Sequence, residues 1–384
     1  MAASAPAIPA TMKAIVKESP LGGVSLKTVP TPEVHPGSVI CESLAFYFST
    51  GDVKRLTPSD TPSIFTHPTP FVPGGYQIAR VAAVGPDATT LKTGQLVLVE
   101  CWVRGRDNTD AQILWGMFDG VTPASKKLAA DYWRDGGLSE YFRSPLENTW
   151  ALDESRLCGS PSDGGLGYSI SELVAVPVFC VAYGGFRTVD LKAGETVVVS
   201  PATGHFSMSA VAIADAIGAK VIAVSRNADR LKQLRDIFPR VKTVVPTGDV
   251  AADTQAIVAA AGGYVDVFAD VSPAAAVGSR HLESCIGAVK QYGRVCLMGG
   301  RGDPTLPVGY LTMVIKSLTI RGSFMYEREH VKGLIKLVES GRLPIGKAGG
   351  FPVVSEIPVS RYEEAFAEAE KDFGIEGMVT VVRG

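Results

Sequence analysis

The stretch Val197-Val198-Val199-Ser200-Pro201-Ala202-Thr203-Gly204-His205-Phe206-Ser207 decides the fold of this 384-residue chain. Thr196 to Ser200 is a short, nearly unbroken apolar run, the pattern of a strand buried on both faces of a parallel sheet. A turn of small residues follows, and Phe206 to Ile217 then carries helical periodicity. The turn is a degenerate G-x-G-x-x-G, with Ala202, Gly204 and Ser207 in the glycine places. Small residues there let the backbone approach a pyrophosphate, and the helix behind them offers unpaired N–H groups to the anion. A strand before, a helix after and a second strand about 20 residues on are the context this fingerprint requires. The alternative is an ordinary strand-to-helix turn that binds nothing.

The same alternation continues toward the C-terminus. Lys220 to Ser225, Thr243 to Val245, Val265 to Asp270 and Arg294 to Met298 read as strands. Ala228 to Ile237, Ala251 to Ala261 and Ala274 to Ile286 read as helices. This rhythm predicts βαβ units on a parallel sheet. The second strand ends at Ser225 and Arg226, where selection of NAD(H) ordinarily uses an acid on the ribose 2′-hydroxyl. A carboxylate repels a 2′-phosphate, whereas a hydroxyl beside a guanidinium suits it. NADP(H) is therefore the expected cofactor, held by Ala202, Thr203, Gly204, His205, Phe206, Ser225 and Arg226, with Arg230 one helical turn later. Arg226 as a solvated surface charge is the competing reading.

Before Ser171 the texture differs. Ala14 to Val16, Val39 to Cys41 and Leu96 to Val99 are brief β-rich runs punctuated by Pro and Gly. Cys101 to Asp135 reads as a long, polar, irregular segment, and its aromatic residues Trp102, Trp115, Phe118, Tyr132 and Trp133 suggest a lid or a solvated insertion. After Leu318 the β-rich texture returns, with helices expected at Arg328–Glu339 and Arg361–Lys371 and a last strand at Met378–Val382. A net charge of −2, with no long basic run, gives no footprint for nucleic acid. No apolar run reaches the ~18 residues of a membrane span. Met1 to Thr11 reads as a loose tail, so a cytoplasmic location is expected. The six cysteines lack CxxC spacing and read as buried thiols.

Several marks together resemble the medium-chain dehydrogenase/reductase superfamily. Val84-Gly85-Pro86, the "xGDxV"-like Leu91 to Val97, the "GGxAEY"-like Gly136 to Tyr141, the lead-in Val189 to Glu195 and Gly293-Arg294-Val295 occur in the family's order. The resemblance covers nearly the whole chain. It implies an α/β fold in which a Rossmann domain with a parallel sheet is inserted into a GroES-like β-rich domain. The expected division is residues 1–165 and 325–384 for the GroES-like part and 166–324 for the Rossmann part. It also implies a small-molecule substrate, and leaves the assembly open between a homodimer and a tetramer built on the Rossmann sheet edge near Pro304 to Ile320.

Against the family's zinc branch this chain departs at each ligand position. Ser49 stands at the Cys place, Gly75 and Tyr76 replace the His and Glu of "GHE", and the third ligand place falls near Pro177. Such residues cannot supply the three N, S or O donors of a catalytic zinc, so no metal is expected. Zinc-free relatives include quinone and enoyl reductases, among them fungal trans-acting enoyl reductases, whose "D-x-K" is matched by Asp52-Val53-Lys54. The resemblance then implies that Lys54 touches the substrate carbonyl or the nicotinamide ribose, or is a plain surface lysine. Tyr76 either donates its phenol to the substrate or fills the vacated space, and Tyr47 is the alternative donor. Ser49, His67, Trp133 and Met325 are candidate substrate contacts. Val181, Met298, Gly299, Ser323 and Phe324 match stretches that flank the nicotinamide in relatives.

The function this predicts is NADPH-dependent, zinc-independent reduction of an activated C=C bond in a small, largely apolar substrate. A zinc-free carbonyl reductase or alcohol dehydrogenase is the second reading, and a redox-silent cyclase reusing the pocket is the third.

Overall fold

A computed structural model describes residues 8–61, 63, 65–302, 305–371 and 377–382. The first seven residues of the expected tail, and Pro304 at the start of the expected oligomer edge, lie outside them. Two compact units are present: one of Met1–Pro177 with Pro352–Phe373 and Gly377–Gly384, the other essentially Val178–Phe351.

The second unit is built on a parallel sheet. Its described strands run in the order Lys242–Val244, Lys220–Val224, Thr196–Ser200, Val265–Asp270, Val289–Leu297 and Thr319–Gly322. In chain order this is 3-2-1-4-5-6, the doubly wound arrangement of dinucleotide-binding domains. The central strand explains itself: Val197, Val198 and Val199 are fully buried, and β-branched side chains fit a pleat covered on both sides. Helix His205–Ile217 returns to the sheet through Gly218, whose φ of 95° is a left-handed C-cap that glycine alone adopts without steric cost. Asn227 caps the helix Ala228–Ile237 by accepting the Arg230 N–H at 2.9 Å. Asn227→Ala is expected to cost about 1 kcal/mol, read as a fall of a few degrees in melting temperature, and an unchanged melting temperature would refute the cap.

The helix expected over Ala274 to Ile286 is interrupted. A single 3-10 turn, Ala274–Ala276, precedes a shorter helix, His281–Gly287. Helix Ala175–Thr188 carries Gly184 against Tyr326 and Gly185 against Met298, and Gly333 of helix Arg328–Glu339 lies against Tyr183. These close approaches tie residues 325–351 to the Rossmann unit. The units accordingly divide at Pro177 and Phe351, later in sequence than the expected 165 and 324.

The first unit is β-rich and uses both ends of the chain. Val353–Pro358, Met378–Val382, Ser38–Phe48, Gln77–Val84, Leu96–Val99 and Thr149–Ala151 are neighbours in that order, and Tyr141–Pro145 also pairs with Ser38–Phe48. Val379 lies in antiparallel register with Phe48, so the C-terminal strand completes a sheet begun by the N-terminal ones.

The segment Cys101 to Asp135 is not the polar lid its composition suggests. Trp102–Arg104 and Gln112–Leu114 form an antiparallel ribbon, and Pro123–Asp131 is a helix with Thr122 as its cap. Trp115, Ile113, Val103, Ala129 and Trp133 pack into one core cluster with Val39, Val81, Val97 and Phe142. The ribbon and helix present apolar residues inward and charges outward, so an average over the segment looks polar while one face is core. None of the six cysteines is paired; five are buried and Cys158 is partly exposed.

Candidate functional site

In the Rossmann unit the phosphate turn is held from two sides. Gly204 begins the helix; its N–H donates to Ser207 Oγ at 2.9 Å, and that hydroxyl donates back to the Gly204 carbonyl at 3.1 Å. Ser207 therefore does more than stay small: it braces the turn from the third glycine place. Ala202 and Thr203 are buried, whereas Gly204 and Phe206 are exposed and His205 is half-buried. Thr203 Oγ1 lies 2.8 Å from Ser225 Oγ, which ties the phosphate turn to the end of the second strand. Arg226 is the exposed residue next to that tie. Ser225 and Arg226 thus stand at the carboxyl end of the second strand, beside the phosphate turn, and the helix N-terminus with its partial positive charge suits an anion.

The residues expected around the nicotinamide gather on one helix. Val181 is half-buried on Ala175–Thr188. The Met298 side chain packs on Gly185, and Ser323 Oγ donates to Thr188 Oγ1 at 3.4 Å. Met325 takes a left-handed φ of 61°, with its carbonyl against Gly184, and Phe324 is exposed. Gly299 passes so close to its neighbours that a Cβ there would sit 2.6 Å from both Ser272 N and Ser272 O. Met298, Gly299, Ser323 and Phe324 follow directly on the carboxyl ends of Val289–Leu297 and Thr319–Gly322, the end of a doubly wound sheet where dinucleotides bind.

The β-rich unit holds a polar cluster at the start of helix Thr50–Leu56. Ser49 caps it, donating its hydroxyl to Asp52 Oδ2 at 2.6 Å, and the Asp52 carboxylate returns to the Ser49 N–H at 3.0 Å. Arg55 donates to the other Asp52 oxygen at 2.7 Å. Asp52 stood out in the sequence only as the first residue of Asp52-Val53-Lys54 and Arg55 not at all; only the buried cap makes them a pair. Ser49 is committed to the helix cap, and Lys54 is exposed on the same helix. Tyr47 is buried. Tyr76 stacks on Phe46, with ring centroids 5.7 Å apart. Burial, with the charge of Asp52 next, holds the Tyr76 hydroxyl well above the usual phenol range, so it stays protonated at neutral pH.

Gly75, at the place of a zinc-binding histidine, is walled in. A Cβ there would meet the Trp115 carbonyl and lie 2.9 Å from Cys101 Cβ. His67 is an anchor: Nε2–H donates to the Arg134 carbonyl at 2.7 Å, the ring lies 4.3 Å from Phe71, and burial lowers its pKa. Trp133 is in the core, with the Arg143 guanidinium 5.3 Å from its ring. Among the described residues no group of three His, Cys, Asp or Glu is placed to hold a metal ion, and no helix is long and apolar enough to cross a membrane.

Known proteins agree with this architecture. The family described as "Alcohol dehydrogenase GroES-like domain" matches residues 36–154, and "Zinc-binding dehydrogenase" matches residues 207–340. The chain is 25% identical over 371 residues to L-threonine 3-dehydrogenase of Ruegeria pomeroyi, covering 96% of this chain and 99% of that one. It is 25% identical over 336 residues to an alcohol dehydrogenase of Geobacillus stearothermophilus, covering 86% and 90%. Among solved structures, a short chain alcohol dehydrogenase from E. coli CFT073, complexed with cofactor NADH, superposes with a TM-score of 0.75 at 18% identity, covering 97% of this chain and 100% of that one. With its strand order, its two-ended β-rich unit and these matches, the chain belongs to the medium-chain dehydrogenase/reductase superfamily and is an oxidoreductase of the alcohol dehydrogenase type.

Proposed function

We propose that this protein reduces an activated C=C bond of a small, largely apolar substrate with NADPH and without a metal ion. The observation that carries the reading is the walled-in Gly75 beside Tyr76, whose hydroxyl burial and the Asp52 charge keep protonated at neutral pH. A zinc site needs about three donors in tetrahedral geometry. Ser49 is spent on a helix cap, Gly75 has no side chain and no room for one, and Tyr76 is a neutral phenol. These residues do not fit a catalytic zinc, so charge that develops on substrate oxygen must be met by a hydrogen-bond donor. Bound NADPH supplies the hydride. Tyr76 holds the proton and delivers it to the enolate formed when the β-carbon is reduced; the phenolate left behind is reprotonated from solvent. Tyr47 borders Tyr76 electrostatically, and Lys54 is the proposed contact to a substrate carbonyl.

The relatives named above are an L-threonine 3-dehydrogenase and alcohol dehydrogenases, and this favours a second reading: the same proton passes to an alkoxide and a carbonyl is reduced. Loss of NADPH absorbance with enones and enoyl thioesters, but not with aldehydes and ketones, supports the first reading. The reverse pattern supports the second, and no consumption with either class sinks both.

The preference for NADPH rests on Ser225 and Arg226. Arg226→Ala is expected to weaken NADPH binding about tenfold to a hundredfold, the loss of one charge-assisted contact, and to leave NADH binding unchanged. Calorimetry with both dinucleotides measures this, and an equal loss for NADH would end the assignment.

A further inference from the structure

We propose that Asp270 accepts a hydrogen bond from a hydroxyl of the nicotinamide ribose, and that Ser272 and His281 hold its carboxylate in position. The proposal rests on the reading that this chain binds a nicotinamide dinucleotide.

Asp270 is the last residue of strand Val265–Asp270 and lies in register with Ser200, the last residue of Thr196–Ser200. These adjacent strands are the point where the sheet order reverses. Ligands of doubly wound sheets bind outside the carboxyl ends at that point. The first three strands carry the phosphate turn, Ser225 and Arg226, hence the adenine nucleotide. Val265–Asp270 opens the second mononucleotide half, which takes the other nucleotide.

Asp270 is only 4% exposed, and a buried carboxylate needs partners. Ser272 donates its hydroxyl to Asp270 Oδ1. His281 Nε2 is 2.8 Å from Ser272 Oγ and 3.4 Å from Asp270 Oδ1, and Ser279 Oγ is 2.9 Å from His281 Nδ1. Ser272 has one hydroxyl proton and gives it to Asp270. The contact with His281 therefore requires Nε2–H as donor, an assignment made from the network. The chain of bonds runs from Ser279 through His281 and Ser272 and ends on one oxygen of Asp270.

Among the described residues every hydrogen bond to this carboxylate goes to Oδ1. Oδ2 lies on the side of Gly299, where a Cβ would approach it to 2.9 Å. Gly299 packs its backbone closely on that side and places no side chain or hydrogen-bond donor against Oδ2. The backbone around Asp270 is clamped as well: Val271 N–H donates to the Ser200 carbonyl at 3.3 Å, Met298 N–H to the Asp270 carbonyl at 2.9 Å and Gly300 N–H to the Ser272 carbonyl at 2.8 Å. An acceptor so fixed loses little entropy when a ligand arrives. A phosphate is repelled by this charge, whereas a sugar hydroxyl can donate to it, so the nearby ligand group is a hydroxyl.

The decisive experiment compares NADPH with an analogue lacking a hydroxyl on the nicotinamide ribose, by calorimetry on the whole wild-type chain. The analogue is expected to bind about tenfold to a hundredfold more weakly. Asp270→Asn should weaken NADPH binding by a similar factor and lose most of the discrimination against the analogue. His281→Leu should weaken NADPH binding by up to about tenfold, whereas His281→Gln, whose amide can still donate to Ser272, should largely restore it. Equal binding of NADPH and the analogue by the wild type overturns the proposal, as does unchanged discrimination in Asp270→Asn. Equal effects of His281→Leu and His281→Gln overturn the positioning role. No dinucleotide binding by the wild type overturns this proposal and the cofactor reading together; binding without discrimination overturns this proposal alone.

Discussion

Tyr76→Phe is expected to lower kcat by about 10²- to 10⁴-fold, the usual weight of a positioned general acid, and to leave NADPH affinity unchanged. The substitution removes one oxygen and keeps the ring that stacks on Phe46, so the fold should be undisturbed. The pH dependence makes the test specific. A donor works in its protonated form. Burial and Asp52 raise the hydroxyl's pKa above its ordinary value, so the active form is complete through neutral pH. It is lost only as pH climbs past that raised value, above the ordinary phenol pKa of about 10. The wild type should therefore show no fall in kcat between about pH 6 and pH 9 that traces to this group. A Tyr76→Phe enzyme with kcat within a few-fold of wild type would show that the phenol only fills space. A Tyr76-dependent fall in kcat near neutral pH would contradict the burial argument instead.

Trp115→Ala is expected to destabilise the chain by about 3–5 kcal/mol, the range for deleting a large buried aromatic side chain. Trp115 is fully buried, its ring centroid lies 5.5 Å from that of Phe142, and its carbonyl walls off Gly75. The indole N–H is buried with no hydrogen-bond partner, which carries a desolvation cost of its own. Trp115→Phe keeps most of the apolar volume and removes that orphan donor, so it should cost less than about 1.5 kcal/mol. Urea unfolding followed by circular dichroism measures both. If Trp115→Ala unfolds at the wild-type urea concentration, the segment Cys101 to Asp135 is a detachable lid after all, and the packing argument fails.

These two residues mark where sequence reading reached and where it stopped. Tyr76 was legible because it sits in a motif of fixed spacing, one residue after the glycine that replaces a ligand. Trp115 was legible only as one aromatic residue among several in a stretch that averages polar. Its partners Val39, Val81 and Phe142 lie on strands distant in sequence, and a contact of that kind leaves no local period. For the same reason the sequence showed Trp133 and His67 only as candidate substrate contacts, and the core packing of Trp133 and the hold of Arg134 and Phe71 on His67 appear only in the fold. Asp52 and Arg55 became a pair only when the Ser49 cap buried the carboxylate.

What the amino-acid order determined by itself was the alternation. Continuous Val runs can be satisfied only by a sheet covered on both faces, and small residues before a helix can turn only so tightly, so the doubly wound unit and its phosphate turn were written locally. What only the tertiary structure decided was which side chains share a wall: Trp115 against Gly75, Thr203 with Ser225, and Asp270 with Ser272 and His281. Period and propensity act over a few residues, whereas burial and hydrogen-bond satisfaction are settled by segments that meet only after folding.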